Sequence, residues 1–537
     1  MGDEYMNLRA HFDDYKSTNI LKNETLIENL YKQVEIRPNK TAVIDKKQKL
    51  TYKELFEKVK TFAKVFQNIP LSKKDRVMIQ LPNSIEFIAV LFACNLLELE
   101  PVLMLPTHRH SEITTIAQIL KPKVYVGTTN YLGFNFCEMV EENLDSLDFI
   151  DCIVADKDFK STEVSYLNLN DYKFENYDLN APKSFGGSIG AYILTGGTTS
   201  MPKIIPKINE AYVYNIKKAI ERCHFNEGTI YLAVLSIAHD YPLANPGVLG
   251  TLFSGGTVIF AETTSFDEAF HWINKERVNT TSVVPAVIEM WAENYDWFPG
   301  DLTSLKHVLI GAAQIDIEKL SKIENQFGVT IQQGYGLGEG ITCFTQLNDP
   351  PEIRLGTQGK PISEHDEIKI IDSNRKLLNP LEIGEIAEKG PYTFKGYFAN
   401  ENLNSKVFTK DGYFLTGDLG YIDLTGNLVI AGRVDDQINR LGENILPKEV
   451  EAILREYKYI KNCAVLGVDD EELGQKTCAC IEKTDHLFTI QDLRDFFEDK
   501  GVARFKVPDE IYFVDKLPYS NIGKIDKKKL SEIFNKD

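Results

Sequence analysis

The sequence offers no apolar run long enough to span a membrane. Even the stretch Ile85–Leu97 contains Glu86 and Asn95 and runs into Glu98 and Glu100, short of the roughly 18 uninterrupted residues a spanning helix requires. It also lacks a basic start followed by an apolar segment, because MGDEYMNLRAHFDDYK is mixed and acidic, so no signal peptide is expected. Basic residues are in deficit, 60 Lys and Arg against 78 Asp and Glu, for a formal charge of -18. Such a chain repels polyanions at long range, which argues against a general binder of nucleic acid or of anionic membranes. Cysteine is sparse: eight are scattered, and the close pair Cys478 and Cys480 has no second pair to complete a zinc site. A reduced, cytoplasmic protein is expected.

What the chain does have is length and alternation. Its 537 residues are too many for one core, and 43% hydrophobic with 26% charged residues is an ordinary globular balance. Helical spacing over Leu26–Val34 precedes two short strands, Ala42–Asp45 and Leu50–Tyr52, around the turn Lys46–Lys49. Thr51, with Glu54 three residues on, predicts a capping box. Apolar strands are read at Val77–Leu81, Pro101–Leu105, Tyr231–Ile237, Val258–Phe260, Thr280–Val284 and Val308–Ile310. Helices are read at Ile85–Leu97, Val248–Phe253 and Asp267–Lys275. Such alternation predicts parallel sheets covered on both faces, an α/β and α+β architecture. Towards the C-terminus, a helix at Pro447–Leu454 opens on proline, followed by strands Cys463–Val468 and Cys478–Ile481 and a helix Gln491–Glu498.

The stretch with most chemistry is Thr195–Lys203, TGGTTSMPK, directly after the strand-like Tyr192–Leu194. Gly196 and Gly197 let the backbone wrap an anion, the hydroxyls of Thr195, Thr198, Thr199 and Ser200 can donate to phosphate oxygens, and Lys203 adds a mobile charge. A solvated turn is the bland alternative. A Walker loop is excluded, because the lysine follows proline and no hydroxyl follows the lysine.

Five further places carry polar groups with possible chemistry. His108, Arg109 and His110 read equally as a metal or anion site or as a charged helix entry. After the strand at Tyr231, the segment Ala238–Gly247 sets His239, Asp240, Tyr241 and Asn245 where ligands bind in open α/β sheets. In Ile331–Gly340, glycines surround Tyr335, which can stack on a planar ligand, and Glu339, which can hold a hard cation such as Mg²⁺. Asp418, in Thr416–Gly417–Asp418, suits a ribose diol, and Gly432–Asp435 follows about fifteen residues later. Lys524 stands in an exposed glycine turn, although Lys527–Lys529 make a basic tail the simpler reading.

Thr195–Lys203 resembles the phosphate signature of the adenylate-forming superfamily (acyl-CoA synthetases, nonribosomal peptide adenylation domains, luciferases), departing from it at Gly196, Ser200 and Ile204. The resemblance continues in order through Gly334–Glu339, with Gly338 where threonine is usual, then Thr416–Asp418, Gly432–Asp435 and Pro518–Asp526. Leu105–Ile113 and His239–Gly247 narrow it to stand-alone aryl-acid AMP ligases of the 2,3-dihydroxybenzoate and salicylate type.

The resemblance implies an adenylation core over residues 1–434, a mobile C-terminal domain over 435–537 hinged at Asp435, and an active site between them. It implies ATP and Mg²⁺, with catalytic Lys524, Glu339 and Lys203, the metal on Glu339, and nucleotide contacts from Thr195–Thr199, Gly311, Gln333, Tyr335, Asp418 and Arg433. The acid would meet His239, Asp240, Tyr241, Asn245, Gly334 and Gly338. The thiol acceptor would be the pantetheine of an aryl carrier protein, or CoA. Asp240 stands where such ligases usually have asparagine, and Gly334 and Gly338 where they have larger residues. A roomier pocket is therefore expected, together with an acid whose amino or hydroxyl group donates to an otherwise unsatisfied Asp240.

Two substitutions test the C-terminal assignments. Lys524→Ala should lower ATP–pyrophosphate exchange on the order of a hundred- to a thousandfold while ATP binding persists, as for a group acting on transition-state charge; unchanged exchange would sink the assignment. Asp435→Pro fixes φ at the hinge and should slow one half-reaction more than the other, whereas equal loss would count against rotation there.

Overall fold

The computed structural model describes residues 15–156, 164–171, 186–195, 203–312, 315–441, 443–470, 472–484, 486, 488–519 and 525–534. Two compact units emerge from packing, Met1–Glu367 with Lys389–Gly412, and Ile368–Glu388 with Tyr413–Asp537. The sheet that precedes Asp435 thus packs with the C-terminal residues. A pivot at Asp435 concerns rotation rather than packing, and it remains a proposal.

The first unit holds two sheets. One runs, in spatial order, Ser165–Asn168, Cys152–Ala155, Val124–Gly127, Arg76–Gln80, Glu100–Leu103, Ile189–Thr195 and Lys203–Ile208. Its first six strands are parallel, and only the last pair is antiparallel. The other has a parallel centre of Thr330–Gly336, His307–Ile310, Thr280–Val283, Ile230–Ala233, Thr257–Phe260 and Thr41–Ile44. Short antiparallel strands, Thr342–Phe344 and Lys49–Thr51, lie towards its edges. The covered faces anticipated from the apolar strands are present. Phe270, Trp291, Ile288 and Phe327, from helices Phe266–Glu276, Pro285–Glu293 and Ile317–Phe327, bury against Leu232, Val283, Val308 and Ile331. Each such side chain is worth about 1.5 to 3 kcal/mol of transfer free energy.

Local signals hold where they are strong. Thr51 accepts from the Glu54 backbone N–H, and the Glu54 carboxylate accepts from that of Thr51, so the capping box starts helix Tyr52–Gln67. At His108–Arg109 the helix-entry reading prevails. The Arg109 N–H donates to Glu112 Oε2 at 2.9 Å, and the guanidinium turns back to the carbonyls of Pro106 and His108.

The second unit contains a four-stranded sheet, Glu367–Ile371, Gly384–Lys389, Phe414–Ile422 and Leu428–Arg433. A five-stranded sheet, built on Cys463–Asp470, Gly474–Glu482 and Glu510–Val514, packs helices Pro447–Arg455 and Ile490–Asp499 through Val450, Leu454, Leu493 and Phe497. Among the described residues, no helix is long and apolar enough to cross a membrane. All eight cysteines are buried and free.

Candidate active site

Strands Ile189–Thr195 and Lys203–Ile208 pair antiparallel with Thr195 directly opposite Lys203. The phosphate-type loop therefore leaves and re-enters the sheet at one rung. Its residues Gly196, Gly197, Thr198 and Thr199 lie outside the described residues, as does Lys524. Thr195 Oγ1 is buried and has no hydrogen-bond partner among the described residues. A hydroxyl left over at a strand end is a donor waiting for an acceptor.

Glu339 follows strand Thr330–Gly336 on a turn closed by the Gly340 N–H donating to the Leu337 carbonyl at 3.2 Å. The turn is pinned at three points. Lys207 Nζ donates to the Gly338 carbonyl at 2.8 Å, the Phe394 N–H to the Glu339 carbonyl at 2.6 Å, and the Tyr397 hydroxyl to Glu339 Oε1 at 2.7 Å. Lys203 Nζ lies 5.3 Å from the centre of the Tyr397 ring, so this one tyrosine touches both assigned catalytic groups. Burial pushes the Glu339 carboxyl above the usual carboxylate range, against the opposing pull of the Tyr397 hydroxyl and the Lys203 and Lys207 ammonium groups. A bound cation would relieve that penalty. One carboxylate is enough for Mg²⁺, which keeps several waters and takes its remaining ligands from substrate phosphates. The residues present fit both the nucleotide and the ion.

Beyond the ends of strands Ile230–Ala233 and His307–Ile310 lies the candidate acid pocket. His239 precedes the short helix Asp240–Ala244, and the Tyr241 ring lies against Gly311, whose hypothetical Cβ would be 3.2 Å from it. Asp240 is not short of donors. Its Oδ1 accepts from the Tyr212 hydroxyl at 2.6 Å, and its Oδ2 from Lys207 Nζ at 3.1 Å and Asn245 Nδ2 at 3.3 Å. Asn245 in turn accepts from Asn215 Nδ2 at 2.9 Å and from the Thr342 hydroxyl at 3.4 Å. The expectation that the substrate must supply a donor to Asp240 is overturned, since the chain supplies three. The Lys207–Asp240 pair, with side chains 7% and 10% exposed, is one whose breakage from one side costs about 3 to 5 kcal/mol.

The roomier pocket is overturned as well. A Cβ on Gly334 would meet the Phe344 ring at 2.3 Å, and one on Gly338 would meet Ile193 and Ile205 at 3.0 Å each. Neighbouring side chains fill the space that the missing ones leave. The glycine-rich stretch is strand as far as Gly336, with Tyr335 paired to Cys343, because in-sheet glycines let Phe344 lie over the backbone. Gln333 spends its amide on the Leu355 carbonyl.

In the second unit, Asp418 lies within strand Phe414–Ile422, directly across from Arg433, whose Nη1 is 3.2 Å from Oδ1. Gly417, at φ +71°, turns the backbone so that its carbonyl accepts from the Val434 N–H at 2.9 Å. Asp435 is exposed, in the turn between Leu428–Arg433 and Ile438–Arg440. The sequence reading missed Tyr397, Lys207 and Tyr212. Lys207 carried a faint signal, an amine inside the apolar strand KIIPKI, which is expensive to bury without a partner. Tyr397 and Tyr212 carried none.

A buried, cation-ready carboxylate near the strand end at Thr195, whose hydroxyl has no partner among the described residues, fits a nucleotide-dependent enzyme acting on a second ligand. Residues 30–398 match the AMP-binding enzyme family and 449–524 the AMP-binding enzyme C-terminal domain. The chain belongs to the AMP-binding enzymes. It is 35% identical over 485 residues to the 2,3-dihydroxybenzoate-AMP ligase of Bacillus subtilis, covering 90% of this chain and 89% of that one. It is 33% identical to the salicyl-AMP ligase / salicyl-S-ArCP synthetase of Mycobacterium tuberculosis, covering 91% and 87%. Among solved structures, apo MbtA of Mycobacterium smegmatis superposes with a TM-score of 0.73 at 30% identity, covering 97% of both chains.

Gly334→Ala tests the filled pocket. Overpacking against Phe344 should lower stability by about 1 to 3 kcal/mol, read in denaturant melts, and Gly334→Ala/Phe344→Leu should recover most of it. An alanine variant as stable as wild type would mean that space is open there.

Proposed function

We propose that the protein activates an aromatic carboxylic acid with ATP, forming the acyl-adenylate and releasing pyrophosphate, and then passes the acyl group to the pantetheine thiol of an aryl carrier protein. The observation that carries this reading is the Lys203–Tyr397–Glu339 contact beside the Thr195 hydroxyl, which has no partner among the described residues. It gathers an anion donor, a mobile cation and a metal-ready carboxylate next to the pocket around Asp240 and Tyr241. The names of the relatives, which act on dihydroxybenzoate and salicylate, support an aryl acid.

The reaction asks mainly for alignment of two anions and absorption of charge. Thr195, the loop through Thr199, and Lys203 hold the phosphates. Glu339 would hold Mg²⁺, which would supply positive charge to offset that of the phosphate oxygens. Gly311, Gln333 and Tyr335 line the base, the Gln333 side chain acting as a fixed wall because its amide is already committed. Asp418 takes the ribose diol, with Arg433 holding the carboxylate in place. Lys524 balances the charge between carboxylate and α-phosphate, and rotation at Asp435 exchanges it for the thiol-transfer face, with His239 on the thiol path. The acid lies against Tyr241, Gly311, Gly334 and Gly338. A cytoplasmic place in siderophore or other secondary-metabolite synthesis is consistent with the buried, free cysteines.

Because Asp240 is already satisfied, a donor on the acid gains nothing special from it. In pyrophosphate exchange, salicylate or 2,3-dihydroxybenzoate should be activated at least as well as 2-aminobenzoate and better than benzoate. A clear preference for the amino acid, lost in Asp240→Asn, would reinstate the donor rule; exchange with aliphatic acids alone would overturn the aryl reading. Transfer to a carrier protein outpacing transfer to CoA is expected, and the reverse would make the enzyme a CoA ligase.

A further inference from the structure

Lys207 is the group in this site whose position its chemistry least explains. It lies on the outermost strand of the first sheet, opposite Ala191, away from the loop that ends at Lys203. Its ammonium nevertheless reaches two elements that follow strands of the other sheet, the carboxylate of Asp240 at 3.1 Å and the Gly338 carbonyl at 2.8 Å, and lies 4.9 Å from the centre of the Tyr212 ring. Gly338 immediately precedes Glu339. Asp240 is in turn clamped by Tyr212 and Asn245, and Asn245 by Asn215 and Thr342. The result is a buried chain of charge-assisted bonds from the acid pocket to the turn that bears the metal carboxylate.

We propose that Lys207 is a positioning residue for Glu339: Asp240 serves as its counter-ion, and the fixed ammonium holds the Gly338–Glu339 peptide so that the carboxylate is oriented for the divalent ion. This rests on the reading of Glu339 as the metal-bearing group. Asp240 then acts in this enzyme as the anchor of a lysine rather than as a contact for the acid's ring substituent. The geometry makes metal affinity depend on a residue that touches neither metal nor nucleotide. Outer partners of a metal ligand act in this way, by removing the orientational freedom the ligand would otherwise lose on binding. The sign separates positioning from field. Lys207 opposes a cation electrostatically, so losing its charge alone would tighten cation binding, whereas losing its hold on Gly338 weakens it.

The test uses the full-length protein with α,β-methylene-ATP and Mn²⁺ followed by EPR, alongside thermal melts and Mg²⁺ titration of pyrophosphate exchange. Lys207→Met/Asp240→Asn removes the pair together, so no charge is left buried. It should melt near wild type yet bind Mn²⁺ about tenfold more weakly, the lower end of what loss of an outer partner does, with a parallel rise in the Mg²⁺ needed for exchange. Lys207→Gln/Asp240→Asn puts an uncharged donor back within reach of Gly338 and should recover part of the affinity. Lys207→Arg, which keeps charge and donors, should recover most. Wild-type or tighter Mn²⁺ binding in the pair-deleted variants, with Glu339→Gln impaired, overturns the positioning role and leaves the metal assignment standing. Wild-type Mn²⁺ binding in Glu339→Gln overturns the metal assignment, and this proposal with it.

Discussion

The site depends on keeping two carboxylates in a protein interior. Glu339 and Asp240 are both largely withdrawn from water, and a bare buried carboxylate protonates or unfolds its surroundings rather than persist. Each is held by a different device. Asp240 has a full complement of donors from its own chain, including a lysine that neutralises it. Among the described residues Glu339 has one phenolic donor, its own backbone N–H and two ammonium groups nearby, too little to offset its burial. The difference fits the roles proposed for them, a fully satisfied Asp240 as structural and an under-satisfied Glu339 as the group that would take a ligand bringing positive charge.

That division explains which parts of the site could be read from the sequence. The loop at Thr195, the glutamate at Glu339 and the aspartate at Asp418 announced themselves through local composition, since glycines and hydroxyls beside one charged group have few other uses. The alternating sheets were legible for a similar reason, because strands buried on both faces must be continuously apolar, as Cys152–Ala155 and Thr257–Phe260 are. The four-stranded sheet was mostly invisible. Its strand Gly384–Lys389 reads GEIAEK, with charged residues that hide the period.

The substrate argument failed for an instructive reason. It treated Asp240 and the two pocket glycines as isolated differences, as though removing or adding atoms at one position left the rest unchanged. Close-packed interiors do not behave so. Phe344 occupies the room beside Gly334, Ile193 and Ile205 that beside Gly338, and Lys207 with Tyr212 answers the charge at Asp240. Those compensating residues lie between 10 and 145 positions away along the chain, and nothing local connects them. Long-range pairs of this kind are what a lone sequence conceals.

The chain passes from one compact unit to the other three times, after Glu367, Glu388 and Gly412. The middle passage returns Lys389–Gly412 to the first unit, and with it Tyr397, 58 residues beyond the carboxylate it serves. During synthesis, Glu339 must therefore wait for its phenol until part of the second unit has already been made, so the first unit cannot mature as an N-terminal bead. For anyone recombining such enzymes, a single crossover placed between Glu339 and Tyr397 would pair the glutamate of one parent with the tyrosine of another.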